Sequence, residues 1–431
     1  MPATLLISVG GAPGPIVYSI RQNQPECIIF FVSAGSRRLV SGEILPQLLQ
    51  DPGRLPDHEF IVTPDEQDLG LSTFVLMNEV PAALRRLNVT DVEWPQLVDY
   101  TGGTKTMSAS VVWASSRYPC VMSYIGAADA GGRTRDGLGT VVDGREVCIL
   151  RQNPWDRVAW MEAHSAIELF DRGQYANAAS ELNVICRRVS EDLPRRLFSV
   201  LAEIFEGFHC WDIFDHKNAV RLLGKNLAPL RDIAEIQQAL VPGLRPFVES
   251  VDQLLKTVEG IKPGALSWPL IHDLLATALR RAELEQRYED ATARCYSAIE
   301  KMIQYELYLK HGIESGDARP EQLPDQVRDE YLRRYESEYK DRNGNLRSRM
   351  QFGLMAAGEL LRLFQDPIGL RFAERKEEIR AHLEERNRSI LGHGVQVMDY
   401  ERFRDIFEDA LYLIKIEESA LTRFPHFQFR R

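Results

Sequence analysis

Within the first 150 residues, short apolar runs alternate with amphipathic stretches, and glycine-bearing loops mark the changes between them. The runs at 5–9, 27–32, 59–62, 96–100 and 121–125 are four to six residues long, right for buried strands and too short for helices. Helical patterns fall between them at 15–21, 42–49, 73–87 and 107–115. That rhythm predicts an α/β domain: a parallel sheet with crossover helices on both faces. A terminal hairpin is expected around 140–150, turning on Val142-Asp143-Gly144-Arg145, where Asp-Gly favours a tight turn.

Arg151-Gln152-Asn153-Pro154-Trp155 reads as a linker, and strand signals stop after it. Phe170-Asp171-Arg172-Gly173-Gln174-Tyr175 resembles the turn of a tetratricopeptide-type helix pair, but a single unit does not make an array. Pro263-Gly264 marks a second boundary. Beyond it Leu284, Tyr288, Ala291, Cys295, Ala298, Met302 and Tyr305 recur at helical spacing, the buried stripe of one long helix. A turn is expected at Asp341-Arg342-Asn343-Gly344-Asn345. The expected division is 1–154 for an α/β domain, 155–263 for an all-α connector and 264–431 for a second all-α domain.

Composition narrows the function. A formal net charge of −10 over 431 residues argues against coating nucleic acid through a general basic field, so any contact with it must be local. The longest apolar runs are far too short to span a bilayer, and Met1-Pro2-Ala3-Thr4-Leu5-Leu6-Ile7 reads as a first strand rather than a signal peptide. Six scattered cysteines suggest neither zinc nor a disulfide framework, and a reducing cytoplasm is the expected compartment.

Three loops follow three strands: Gly10-Gly11-Ala12-Pro13-Gly14, Ser33-Ala34-Gly35-Ser36 and Thr101-Gly102-Gly103-Thr104-Lys105-Thr106. In open α/β sheets such loops gather at the carboxyl edge, where glycines admit a ligand to the backbone and helix N-termini favour phosphate. The dinucleotide fingerprint is absent, and the lysine lacks the glycine directly before it that a P-loop requires. Each loop alone is also explained as a tight turn; three on one edge favour a phosphorylated ligand.

Near the other end stands Arg386-Asn387-Arg388-Ser389-Ile390-Leu391-Gly392-His393-Gly394. An arginine to hold phosphate beside a histidine to move protons is the minimum for cutting RNA without a metal. On a continuous helix, seven positions from Arg386 to His393 make nearly two turns and place both on one face. Arg157 with His164 and Arg375 with His382 share the spacing but lack the polar neighbour and the glycines, and read as solvated faces. The run Glu374-Arg375-Lys376-Glu377-Glu378 reads as an exposed, salt-bridged helix face.

Asp99-Tyr100-Thr101-Gly102-Gly103-Thr104-Lys105-Thr106 resembles the ligand motif of CARF domains, the Rossmann-like sensors of type III CRISPR systems. The Gly-Gly turn after the first strand, Ser33 after the second and the stretch 133–150 running into a hairpin agree with it. Arg386-Asn387 with His393 resembles the R-x(4–6)-H motif of HEPN ribonucleases, and the order of parts resembles the CRISPR-associated CARF–HEPN ribonucleases across essentially the whole chain. The resemblance implies a homodimer in which two CARF domains bind one cyclic tetra- or hexa-adenylate and two HEPN domains share a site for single-stranded RNA. It implies a metal-independent endoribonuclease of antiviral defence, with no cofactor beyond the activator, products ending in 2′,3′-cyclic phosphate, and no stable complex with the CRISPR effector. Carried over residue by residue, Gly102, Gly103, Thr104, Lys105 and Thr106, with Thr101 opening the motif, would meet the activator, joined by Gly10, Gly11 and Ser33. Arg386, Asn387 and His393 would form the catalytic site. Arg388 is the alternative arginine, at the shorter spacing but about 140° off the histidine's face on an ideal helix. The other class of reading is a non-enzymatic sensor whose helical half binds a protein or nucleic acid. Slow cleavage of the activator by the sensor is a further reading, for which no general base is evident.

Overall fold

The computed structural model describes residues 3–51, 55–129, 132, 141–142, 144–236, 241, 243–339, 349–390 and 394–427. His393, the expected turn at 341–345 and all of 133–140 lie outside these. The chain forms two compact units: Met1–Ala166 with Ser180–Ala202, and Ile167–Ala179 with Glu203–Arg431.

In the first unit six strands form one sheet: β1 (Thr4–Ser8), β2 (Cys27–Val32), β3 (Asp57–Val62), β4 (Leu97–Asp99), β5 (Val121–Ala127) and β6 (Glu146–Gln152). Their order is β3-β2-β1-β4-β5-β6; β1 to β5 run parallel and β6 is antiparallel to β5. Alternation along β1 explains why its run is wholly apolar. Leu6 faces Leu76, Val80, Met107 and Val111 on one side, and Leu5 and Ile7 face Ile16, Val17 and Ile20 on the other. Helices cover both faces, so neither face can be polar. Each fully buried aliphatic side chain contributes roughly 1.5–3 kcal/mol.

The expected strands and crossover helices are present, with two differences. The helix foreseen over 42–49 starts earlier, at Ala34–Leu39, and continues through a π-helical turn at Val40–Ile44 into Leu45–Leu48. At the expected hairpin turn the Arg145 amide bonds to the Val142 carbonyl and Gly144 stands at φ +82°, while Asp143 and 133–140 lie outside the described residues. The strand that leaves it, β6, pairs with β5. The apolar register offered by β5, placed at the sheet's open edge, fixes this pairing over longer range than the turn could signal.

In the second unit Tyr288–His311 is the central helix, and Ala291, Cys295, Ala298 and Met302 are fully buried along its stripe as expected. Trp268–Glu283, Leu354–Leu363 and Tyr400–Ile414 pack around it. Gly312, at φ +66°, ends it in the left-handed conformation that glycine adopts at low cost. No helix among the described residues is long and apolar enough to cross a membrane.

Candidate functional sites

The carboxyl ends of β1 and β4 flank the point where the strand order reverses, and the chain interlocks there. Gly10 lies so close to Gly103 that a Cβ on it would come within 2.6 Å of the Gly103 amide nitrogen. A Cβ on Gly102 would meet the Ser8 carbonyl at 2.5 Å. The Gly102 carbonyl accepts from the hydroxyls of Ser8 (2.6 Å) and Ser108 (2.9 Å), and Gly103 turns the chain at φ +90°. Side chains on these glycines would push the two loops apart.

Beneath them Asp99 is fully buried, accepting Ser19 Oγ at 2.6 Å, Ser123 Oγ at 2.8 Å and the Thr101 amide at 2.8 Å. Burial pushes its carboxyl above the ordinary carboxylate range, and these hydrogen bonds oppose the shift. The Thr101 hydroxyl accepts the Ile125 amide at 2.7 Å, tying the loop to β5. Thr104 caps Lys105–Ser115 by accepting the Met107 amide, and its hydroxyl donates to the Glu66 carbonyl at 2.6 Å. Ser33 forms a reciprocal cap with Ser36.

A cleft of about 360 Å³ opens above this floor, lined by Gly10, Gly11, Ser33, Gly103 and Thr104 of the predicted set. Gly102 and Thr101 lie outside its lining as supports, and Lys105 and Thr106 stand in the first turn of the adjoining helix, with Lys105 exposed. Ser36 of the second glycine loop also lines the cleft, as do Glu66, Leu39 and Met107, which were missed from sequence. Glu66 sits in a loop without the glycines that marked the other three, so no local signal pointed to it.

In the second unit the helix Lys376–Arg388 ends directly after the arginines: Ser389 is extended (ψ 167°) and its amide bonds to the Arg386 carbonyl at 3.1 Å. The helix that carries Arg386 therefore stops at Arg388, contrary to the continuous-helix expectation. The chain instead doubles back. The Gln396 amide bonds to the Arg388 carbonyl at 3.0 Å, the Ile390 amide to the Gln396 carbonyl at 3.2 Å, and the Gly394 amide to the Ser389 carbonyl at 3.1 Å. Gly394 presses against the Arg388 backbone with no room for a Cβ. His393 itself is outside the described residues; before it Ile390 bonds to Gln396, and after it Gly394 bonds to Ser389 at the helix end. The Met398 amide that follows donates to Glu289 at 3.0 Å.

The two arginines differ. Arg388 is exposed and pairs with Glu384 at 3.3 Å. Arg386 is half-buried with its guanidinium 4.8 Å from the centre of the Tyr296 ring, and Nη1 donates to Asn387 Oδ1 at 3.2 Å. Among the described residues it forms no ion pair. Burial raises the Tyr296 phenol pKa, and the Arg386 charge opposes this.

His382 and Arg375 are not a solvated face. Both reach the buried Asp409, His382 Nδ1 at 2.7 Å and Arg375 Nη1 at 3.1 Å. The Asp409 hydrogen bond raises the His382 pKa. Nor is 374–378 merely exposed: Lys376 meets the buried Glu359 at 3.1 Å. These ion pairs hold Lys376–Arg388 against its neighbours. Among the described residues no group of three or more His, Cys, Asp or Glu side chains is placed to hold a metal ion.

Residues 158–255 match the family model of the Csm6 6H domain, and residues 265–416 match that of the Csm6 HEPN domain. The CRISPR system endoribonuclease Csm6 of Thermus thermophilus is 26% identical over 314 residues, 68% of this chain and 62% of that protein's length. The structure of Enterococcus italicus Csm6 bound to cyclic hexa-2′-fluoro-hexa-dAMP has a similar fold, with a TM-score of 0.57 at 12% identity, covering 98% of this chain and 97% of that one.

Proposed function

The chain belongs to the Csm6 family, and from that premise we propose that it is a cyclic-oligoadenylate-activated endoribonuclease that cuts single-stranded RNA without a metal. Residues 1–154 sense the activator, 155–263 connect, and 264–431 cut. The observation that carries the reading is the state of Arg386: a half-buried guanidinium with no ion pair among the described residues, inside the stretch that matches the HEPN model. Other arginines around it pair with carboxylates, Arg375 with Asp409 and Arg388 with Glu384. An arginine meant for a phosphate needs its charge uncancelled.

In the proposed reaction the substrate 2′-OH attacks the adjacent phosphorus, the bond to the 5′-oxygen breaks, and a 2′,3′-cyclic phosphate and a 5′-hydroxyl result. His393 moves the proton at the nucleophile or leaving group, Arg386 stabilises charge on the phosphoryl oxygens, and Asn387 orients Arg386. Acid–base help of this kind is worth ~10²–10⁴-fold. The exposed Ile390, Val395 and Val397 beside the motif support a surface for a second copy, which would bring two motifs together. The cleft walled by Gly10, Gly11, Ser33, Gly103 and Thr104 supports phosphate contacts from the activator, a cyclic tetra- or hexa-adenylate.

The test is labelled single-stranded RNA incubated with the protein in EDTA, with and without each cyclic oligoadenylate. Activator-dependent cleavage to 2′,3′-cyclic ends is expected, abolished in Arg386→Ala and kept within about threefold in Arg388→Ala, since exposed ion pairs contribute little. A strict metal requirement, or loss of activity in Arg388→Ala alone, overturns the assignment.

A further inference from the structure

We propose that Tyr296 is a positioning residue for RNA cleavage, holding Arg386 by the face of its ring so that the guanidinium meets the phosphate with its charge intact. This rests on the reading of Arg386 as catalytic. The cations around the motif are held by carboxylates: Arg375 by Asp409, Arg380 by Glu377, Arg388 by Glu384 and Arg404 by Glu418. Arg375 and Arg404 also lie over rings, of Tyr412 at 4.1 Å and Phe407 at 5.3 Å, but Arg386 has a ring, 4.8 Å from its centre, and among the described residues no carboxylate. A carboxylate at that distance would fix the arginine equally well but would cancel its charge and occupy its donors. A ring attracts the cation through its quadrupole and leaves most N–H donors free for phosphoryl oxygens.

Tyr296 is suited to this task. It lies on Tyr288–His311 directly after the buried Cys295 and one turn from the buried Thr292 and Ile299, and it packs against the same core cluster, so the ring has little freedom. Its phenol pKa is raised, so it stays neutral near pH 7 and does not become an anion that would pair with Arg386. The helix Lys376–Arg388 ends two residues after Arg386, so no following turn packs on that side chain and the ring supplies the platform.

The experiment measures single-turnover RNA cleavage at saturating cyclic oligoadenylate for Tyr296→Leu, Tyr296→Met, Tyr296→Phe and Arg386→Ala. Both ring-free variants should lose about fivefold or more in the chemical step at unchanged KM, the loss expected of a cation–π contact. Tyr296→Phe, which keeps the ring and loses the hydroxyl, should recover the rate to within about twofold. Two ring-free side chains guard against a folding failure of either. Should they cleave at the parental rate while Arg386→Ala is dead, the positioning role is wrong and the site reading stands. An equal loss in Tyr296→Phe also overturns it, since the hydroxyl and not the ring face would then matter. Normal cleavage by Arg386→Ala would remove both the site reading and this inference.

Discussion

The buried carboxylate of Asp99 accepts the Thr101 amide at 2.8 Å, which joins the end of β4 rigidly to the loop carrying Gly102 and Gly103. Replacing Asp99 with alanine strands that amide and the hydroxyls of Ser19 and Ser123. Each buried donor left unpaired costs about 1–3 kcal/mol. A lower melting temperature and an activator midpoint raised at least about tenfold are expected, with the fully activated rate kept, because the second unit is untouched. Thermal melts and a titration of RNA cleavage against cyclic oligoadenylate check this.

Gly102→Ala tests the interlocked loops by steric means alone. Its Cβ would stand 2.5 Å from the Ser8 carbonyl and 2.8 Å from Ile16 Cδ1, so overpacking should cost about 1–3 kcal/mol and widen the cleft floor. Direct binding of cyclic hexa-adenylate should weaken sharply. Gly42→Ala, where nothing lies within 4 Å, is the matched control and should bind as the parent does.

Lys105 and His393 should separate in one titration. Lys105, exposed at the first turn of its helix, is proposed to contact the activator, so Lys105→Ala should raise the midpoint and leave the plateau of RNA cleavage. His393→Ala should spare activator binding and lower the plateau by ~10²-fold or more. A lowered plateau at an unchanged midpoint in Lys105→Ala would defeat the division into sensor and blade.

His382 predicts a pH dependence. Its folded pKa is raised above the ordinary value of about 6.5 by Asp409, so its protonated form is the one the fold stabilises. That stabilisation is fully present below about pH 6.5 and is lost as pH rises through the raised value. The melting-temperature gap between the parent and His382→Gln should therefore be wide near pH 5.5 and shrink towards pH 8.5, values chosen to bracket an ordinary histidine by about one to two units. A gap that widens with pH would show the pair to be held in the neutral form.

Local pattern made the strands, the helices and the glycine loops legible. Alternation of strand and helix is a property of neighbouring residues, and so is the run of glycines that marked each loop; the contact between Gly10 and Gly103 that requires them is not. Pairings across distance were less legible. His382 and Asp409 are 27 positions apart, and nothing in 374–382 announces that its cations turn inward. The end of the helix after Arg388 was hidden because Ser389, rather than a glycine or proline, terminates it.

By itself the sequence determined the sheet with its crossover helices, the all-α remainder and the two motifs, because periodicity and backbone permissiveness act over a few residues. Only the tertiary structure decided which loops meet, that β6 closes onto β5, and which arginine near His393 keeps its charge. The reason is physical: whether a cation meets a carboxylate or a ring depends on packing between helices distant in sequence, and no local pattern encodes it.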